Sequence, residues 1–177
     1  GDIVDRVYGD RDRVPFDVTV RRGLGTEALA ATLAADTYFL HYIGHIDGEG
    51  FECADGRLDA TTLTETGVDA FLLNACSSYR QGLGLVEAGA VGGIVTLADV
   101  ANDRAVRVGE TTARLLNTGF PLRAALSVTR EQHILGKQYI VVGDGGMTVT
   151  QAASQTPNLL DVTPRQDGFD VTIQTSV

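Results

Sequence analysis

At 177 residues the chain is the size of one ordinary domain, and a hydrophobic content of 44% supplies a buried core and excludes a globally disordered polypeptide. With 23 acidic residues against 14 basic ones, a net charge of −9 and aromatics at only 6%, it suits neither nucleic acid, nor anionic lipid, nor an aromatic-lined groove for single strands. No apolar run approaches the roughly 20 residues that cross a bilayer, and Gly1-Asp2-Ile3-Val4-Asp5 has no initiator Met and shows no signal peptide, so a cytoplasmic protein without membrane contact is expected, read from a fragment of a longer chain or a processed one.

Residues 1–15 are polar, with Asp10-Arg11-Asp12-Arg13 at their centre, and read as an exposed lead-in. Phe16-Asp17-Val18-Thr19-Val20 alternates as a half-buried strand does, Gly23-Leu24-Gly25 breaks it, and Thr26 is expected to cap a helix through Leu33. Thr37–Ile43 is β-branched and aromatic, which favours a strand that ends at Gly44-His45. The Gly- and acid-rich stretch 47–67 carries a hairpin signal at Ala54-Asp55-Gly56-Arg57. Val68–Asn74 is almost continuously apolar, as in a strand covered on both faces, and Cys76-Ser77-Ser78 follows it. A short helix over 82–89, a strand over 93–98, a helix from about Asp103 to Leu116, a second from Pro121 to about Leu135 and a strand over 138–142 complete an alternating pattern. Met147–Thr150, Leu159–Val162 and Phe169–Ile173 then read as short antiparallel strands. Alternation of this kind gives an α/β sandwich with a mostly parallel sheet and a small C-terminal β segment, over 146–177, that is an appendage or the start of another domain.

Sixteen of the acids are aspartate and Lys137 is the only lysine, a bias that suits a salt-rich habitat and says nothing of the reaction. Cys53 and Cys76 are too few for a disulfide framework or a four-cysteine zinc site; two reduced thiols or a single disulfide remain. In open α/β sheets, reactive residues gather beyond the carboxyl ends of the strands. His45 follows one expected strand and Cys76 the next, so parallel neighbours would present an imidazole and a thiol on one edge. A thiol with an ordinary pKa of about 8.5 is mostly protonated at neutral pH, and an adjacent imidazole is what a cysteine nucleophile needs. Backbone N–H groups of the turn at Cys76 are candidates for an oxyanion site. For Cys76 alone, an inert buried thiol is the plainer reading. His41 reads as a packing residue of its strand, Cys53 as a loop thiol, and His133 as a solvent-facing helical residue. His41 and His45 are spaced i, i+4 but on a strand and its end, which does not make a helical zinc pair, and no metal is expected.

His41-Tyr42-Ile43-Gly44-His45 and Phe71-Leu72-Leu73-Asn74-Ala75-Cys76-Ser77-Ser78 resemble two segments of the CHAT family of caspase-like cysteine peptidases, and the likeness continues through Gly82–Ala98 to the strand Tyr139–Val142. The resemblance covers roughly residues 16–145 and implies a caspase-like three-layer α/β/α sandwich that lacks an early strand–helix unit. It implies endopeptidase cleavage without a cofactor, with Cys76 as nucleophile, His45 as general base, and the amides of Cys76 and Ile46 as the oxyanion hole. Ile46 stands where the family has glycine. Asn74 is a possible specificity-pocket residue, standing where related peptidases of basic specificity place Asp, and Asp99 and Asp103 match acidic positions that could line the pocket instead or serve as helix-capping acids. The expected partners are a protein or peptide substrate and a regulatory domain or protein. The alternative expectation is a catalytically silent caspase-like module for protein–protein recognition within a larger sensor or effector.

Overall fold

The computed structural model describes residues 17–99, 102–132, 137–150, 158–166 and 168–175. In chain order these form α1 (Thr26–Ala34), β1 (Thr37–Ile43), β2 (Ile46–Asp47), β3 (Gly50–Cys53), β4 (Gly56–Leu58), a 3-10 turn (Ala60–Thr62), β5 (Val68–Asn74), α2 (Tyr79–Glu87), β6 (Gly92–Thr96), α3 (Asn102–Asn117), α4 (Leu122–Gln132), β7 (Tyr139–Gly143), β8 (Asn158–Arg165) and β9 (Gly168–Thr175). The central sheet has the order β1-β5-β6-β7, with β1, β5 and β6 parallel and β7 antiparallel to β6. The fold is therefore mixed α/β with a mostly parallel central sheet.

Both faces of that sheet are covered, and the sequence of β5 shows why. Ala70 and Leu72 face one way, into a cluster with Ile94 and the buried faces of α3 and α4 (Val108, Leu116, Leu122, Leu126). Phe71 and Leu73 face the other way, into a cluster with Leu29 and Leu33 of α1, Leu85 of α2, and Ile46 and Phe51 of the small sheet. A strand buried on both sides must be apolar at successive positions. All of β5 but Asp69 is buried.

Close approach of the layers depends on missing side chains. A Cβ on Gly82 of α2 would lie 2.3 Å from Val95 Cγ1, and one on Gly84 would lie 2.7 Å from the backbone nitrogen of Thr61. Two glycines cost the helix about 1 kcal/mol each relative to alanine, and in return α2 packs directly on the sheet and the 3-10 turn. Gly93 of β6 is the tightest case: its Cβ would stand 2.2 Å from ring carbons of the fully buried Phe71. Gly93→Ala is expected to destabilise the protein by about 1–3 kcal/mol through overpacking, read as a lower urea midpoint. Glycine-to-alanine in an ordinary strand has the opposite sign.

Several expectations are corrected. Thr26 is not a cap but the first residue of α1; Gly25 is the N-cap, and Asp55 Oδ1 accepts from Thr26 N at 2.7 Å across the chain. Of the expected strand 16–20, residues 17–20 form no strand, because nothing among the described residues supplies a ladder partner; Phe16 and the expected lead-in 1–15 lie outside the described residues. The stretch 47–67 holds the expected hairpin at Ala54-Asp55, but as part of a three-stranded antiparallel sheet β2-β3-β4. Residues 147–150 make only an isolated bridge, Pro121 to Thr148. The C-terminal β segment is a hairpin, β8 with β9, in which Pro164 pairs with Phe169. No helix among the described residues is long and apolar enough to cross a membrane. His133 lies outside the described residues.

Candidate active site

β1 and β5 run parallel with Ile43 opposite Asn74. His45 and Cys76 each stand two residues further on, so the two chains leave the same sheet edge side by side, from backbones about 5 Å apart. Beyond that edge the chains part: His45 leads into β2 and the small sheet, and Cys76 leads into α2. His45 is exposed and Cys76 half-buried. Cys76 and Cys53 are both thiols, not joined in a disulfide. Cys53 lies at the end of β3, with its Sγ donating to Phe51 O at 3.5 Å.

The backbone at His45 is held by its carbonyl. It accepts from Tyr42 Oη at 2.9 Å and from Glu52 N at 3.0 Å. Tyr42 stacks edge-on against Phe51, with ring centroids 4.9 Å apart. Its phenol is pushed up to about 12, by burial first and then by Cys53 and Glu52 nearby, so it stays protonated and keeps donating. Gly44 is needed for this arrangement, since a Cβ there would lie 2.7 Å from Tyr42 Oη. Hydrogen-bonded and non-hydrogen-bonded pairs alternate along an antiparallel ladder. With Glu52 bonded to His45, the next pair, Ile46 opposite Phe51, is of the second kind, and the N–H of Ile46 points out of the ladder. Ile46 sits in a strand with its side chain buried, so no glycine-only backbone conformation is required at this position.

Cys76 is presented by a bolted turn. Ser78, fully buried, donates through Oγ to Leu73 O at 3.2 Å and accepts from Thr96 N at 2.9 Å; its own N donates to Thr96 Oγ1 at 3.2 Å. Thr96 Oγ1 donates in turn to Ala75 O. Both buried hydroxyls thus donate and accept, and the turn is fixed to the end of β6. Ser77, next to the cysteine, has φ of 46°, a left-handed conformation that costs an L residue about 1–3 kcal/mol and persists only where surroundings hold it. Here Ser77 N donates to Ala98 O at 3.4 Å and Ser77 Oγ to Asp99 Oδ1 at 3.2 Å. The amides of Ser77 and Ser78 are therefore spent within the fold and are not oxyanion donors.

The two halves are tied together by side chains of α2. Arg80, in the first turn of α2, donates to Gly48 O at 2.7 Å in the turn between β2 and β3, and to Asp59 Oδ2 at 2.8 Å. The buried Gln81 accepts from Ala60 N at 2.6 Å and donates to Asp59 Oδ1 at 3.1 Å. Burial alone would raise the Asp59 pKa; hydrogen bonds from Thr61 and Gln81 and the Arg80 charge outweigh it and hold the carboxyl below its usual value.

The three expected pocket residues fare differently. Asn74 is only 4% exposed, and its amide is occupied, Nδ2 donating to Ala105 O at 3.2 Å and Oδ1 accepting from Tyr139 Oη at 2.7 Å. It braces β5 against α3 and β7 rather than lining an open pocket. Burial first, and Cys76 nearby, hold the Tyr139 phenol above its usual range, so it too remains a donor. Asp99 is exposed and stands beside the Cys76 turn through Ser77. Asp103 lies in α3, and its side chain is outside the described part of the protein. The pairings of Thr96, Ser78, Tyr139 and Arg80 carried no signal in the sequence, because their partners lie up to 65 residues away. Among the described residues, no group of three or more His, Cys, Asp and Glu side chains could hold a metal ion. No protein-family model matches the chain, and no curated protein matches it.

Proposed function

We propose that the chain is a caspase-like cysteine endopeptidase. The observation that carries this reading is the parallel register of β1 and β5, from which His45 and Cys76 emerge together. The left-handed turn at Ser77 supports it, since backbone strain held in place by its surroundings clusters at reactive sites.

In this reading His45 takes the Cys76 proton as sulfur attacks the peptide carbonyl carbon. The carbonyl oxygen gains charge and is met by N–H groups at Cys76 and Ile46. When the tetrahedral adduct collapses, the C–N bond breaks and His45 gives its proton to the leaving amine. Water, deprotonated by His45, then attacks the thioester; the acid is released and the thiol restored. No cofactor enters these steps. The substrate is a protein or peptide, and Asp99, exposed and bonded to Ser77 of the cysteine turn, is the first candidate for a specificity acid, with Asp103 the second. A regulatory domain or partner protein is the further component this reading includes.

The test is a peptide library incubated with the protein and with Cys76→Ala. Cleavage by the parent and loss of at least about 10³-fold in the variant is expected, together with loss of labelling by a thiol-directed electrophile. Cleavage that survives Cys76→Ala removes the cysteine from the mechanism. Partner binding without cleavage, unchanged in Cys76→Ala and His45→Ala, favours the catalytically silent module.

A further inference from the structure

The hairpin of β8 and β9 carries its apolar residues on one side. Cross-strand partners share a face of the ladder, and the next residue along each strand turns to the other face. The pairs Leu160 with Ile173, Val162 with Val171 and Pro164 with Phe169 therefore make one face, six residues without a charge or a hydroxyl. Thr163, Arg165, Asp170 and Thr172 stand on the opposite face, where the Arg165 guanidinium and the Asp170 carboxylate form an ion pair.

The apolar face is open to water. Leu160, Val162, Phe169, Val171 and Ile173 are between 52% and 71% exposed, and among the described residues neither hydrophobic cluster around the central sheet takes in a residue of the hairpin. Side chains of this size at such exposure present roughly 600 Å² of contiguous apolar surface, the upper end of what a monomer leaves uncovered. A two-stranded hairpin is marginally stable in water at best and needs its apolar face packed against something.

We propose that this face is a dimerisation surface and that its occupant is the same face of a second copy of the chain. Charge favours that occupant: Arg165, the one basic residue of the hairpin, is ion-paired on the far side, so the face has no basic rim for an anionic membrane or an acidic partner, and being neutral it adds nothing to the repulsion between two chains of net charge −9. Area favours it too, since two such faces bury about 1,200 Å² in all, where specific protein interfaces begin. The face also complements itself. A two-fold axis across the strands at the level of Val162 and Val171 sets the valines over their own copies, Phe169 over the second copy's Ile173, and Leu160 over its Pro164. The bulkiest side chain then never meets itself, and two sheets stacked about 10 Å apart are filled along their length. Such a contact is isologous and closes at two copies. It leaves Thr163, Arg165, Asp170 and Thr172 in water on the outer faces. The proposal concerns self-association and does not rest on peptidase activity.

Sedimentation equilibrium of the full chain tests it. A reversible monomer–dimer equilibrium with a Kd of about 1–100 μM is expected, as suits an interface at the small end of the range. It should tighten as salt rises from about 0.05 to 0.5 M, because screening removes the repulsion between like-charged chains. Val171→Asp is expected to weaken it at least about tenfold, while Thr172→Asp, the same carboxylate one residue on and on the opposite face, leaves it within about twofold. A chain that stays monomeric to about 500 μM, association that weakens with salt, species larger than a dimer, or equal losses in the two variants overturn the proposal. A photo-reactive benzoylphenylalanine at position 169 replaces one exposed aromatic ring by another and introduces no charge into the hairpin. In a mixture of light and isotopically heavy chains, cross-links from it into residues 158–175 of the other chain are expected. Cross-links confined to its own chain, or into other parts of the second chain, refute the proposal.

Discussion

His45→Ala is expected to lower kcat/KM for a peptide cleaved through Cys76 by about 10²–10⁴-fold, the range that a positioned general base supplies. The loss falls on kcat rather than KM, because the imidazole acts on a proton in flight and does not grip the peptide. His45 is exposed, and what the fold uses of it is its carbonyl, which alanine retains in its bonds to Tyr42 and Glu52. Stability should therefore be unchanged, and the thermal midpoint of the variant checks that the loss is chemical. A variant with undiminished kcat/KM removes His45 from the mechanism, whatever becomes of Cys76.

The second large effect is on stability in mild acid, and it comes from the other histidine of the segment. His41 lies in mid-strand opposite Leu72, and burial lowers its pKa from 6.5 to about 4. Between those two values the unfolded chain binds the proton and the native protein does not, so stability is fully present above about pH 6.5 and falls as the pH drops toward 4. The size of the loss is about 3 kcal/mol, from 1.36 kcal/mol per pKa unit. Urea midpoints at several pH values between 7.5 and 4 measure it. His41→Gln should flatten that part of the profile relative to the parent; an equal slope in both would mean that the acid sensitivity arises elsewhere. Asp47 and Asp59, whose pKa values are held below 3.8, lose their contribution only at still lower pH.

Much of the element order is visible in hydrophobic pattern alone. Val68–Asn74 was readable as a strand covered on both faces because its neighbours in the sequence are apolar at consecutive positions, and β1 because it is aromatic and β-branched. The hairpin around Ala54-Asp55-Gly56-Arg57 was readable from turn chemistry. The cap of α1 was not, because Asp55 reaches Thr26 from 29 residues away. That the Asn74 amide is taken up inside the fold is invisible in the sequence for the same reason: its partners, Ala105 and Tyr139, are 31 and 65 residues distant, and an amide in a sequence looks alike whether it is spent or available. Residues 17–20 alternate as a strand should, yet alternation states a preference and pairing needs a partner.

The amino-acid sequence by itself determined the long strands of the central sheet and the helices between them, and that an imidazole and a thiol follow two successive long strands, since periodicity and turn residues are local properties. Only the tertiary structure decided that those two strands are parallel neighbours in register, that Thr96 and Ser78 lock the cysteine turn, and that Arg80 joins the two halves of the site. These are contacts between residues far apart in the chain. They form because burying both faces of β5 brings particular strand ends together, which is settled by packing of the whole domain and not by any one segment.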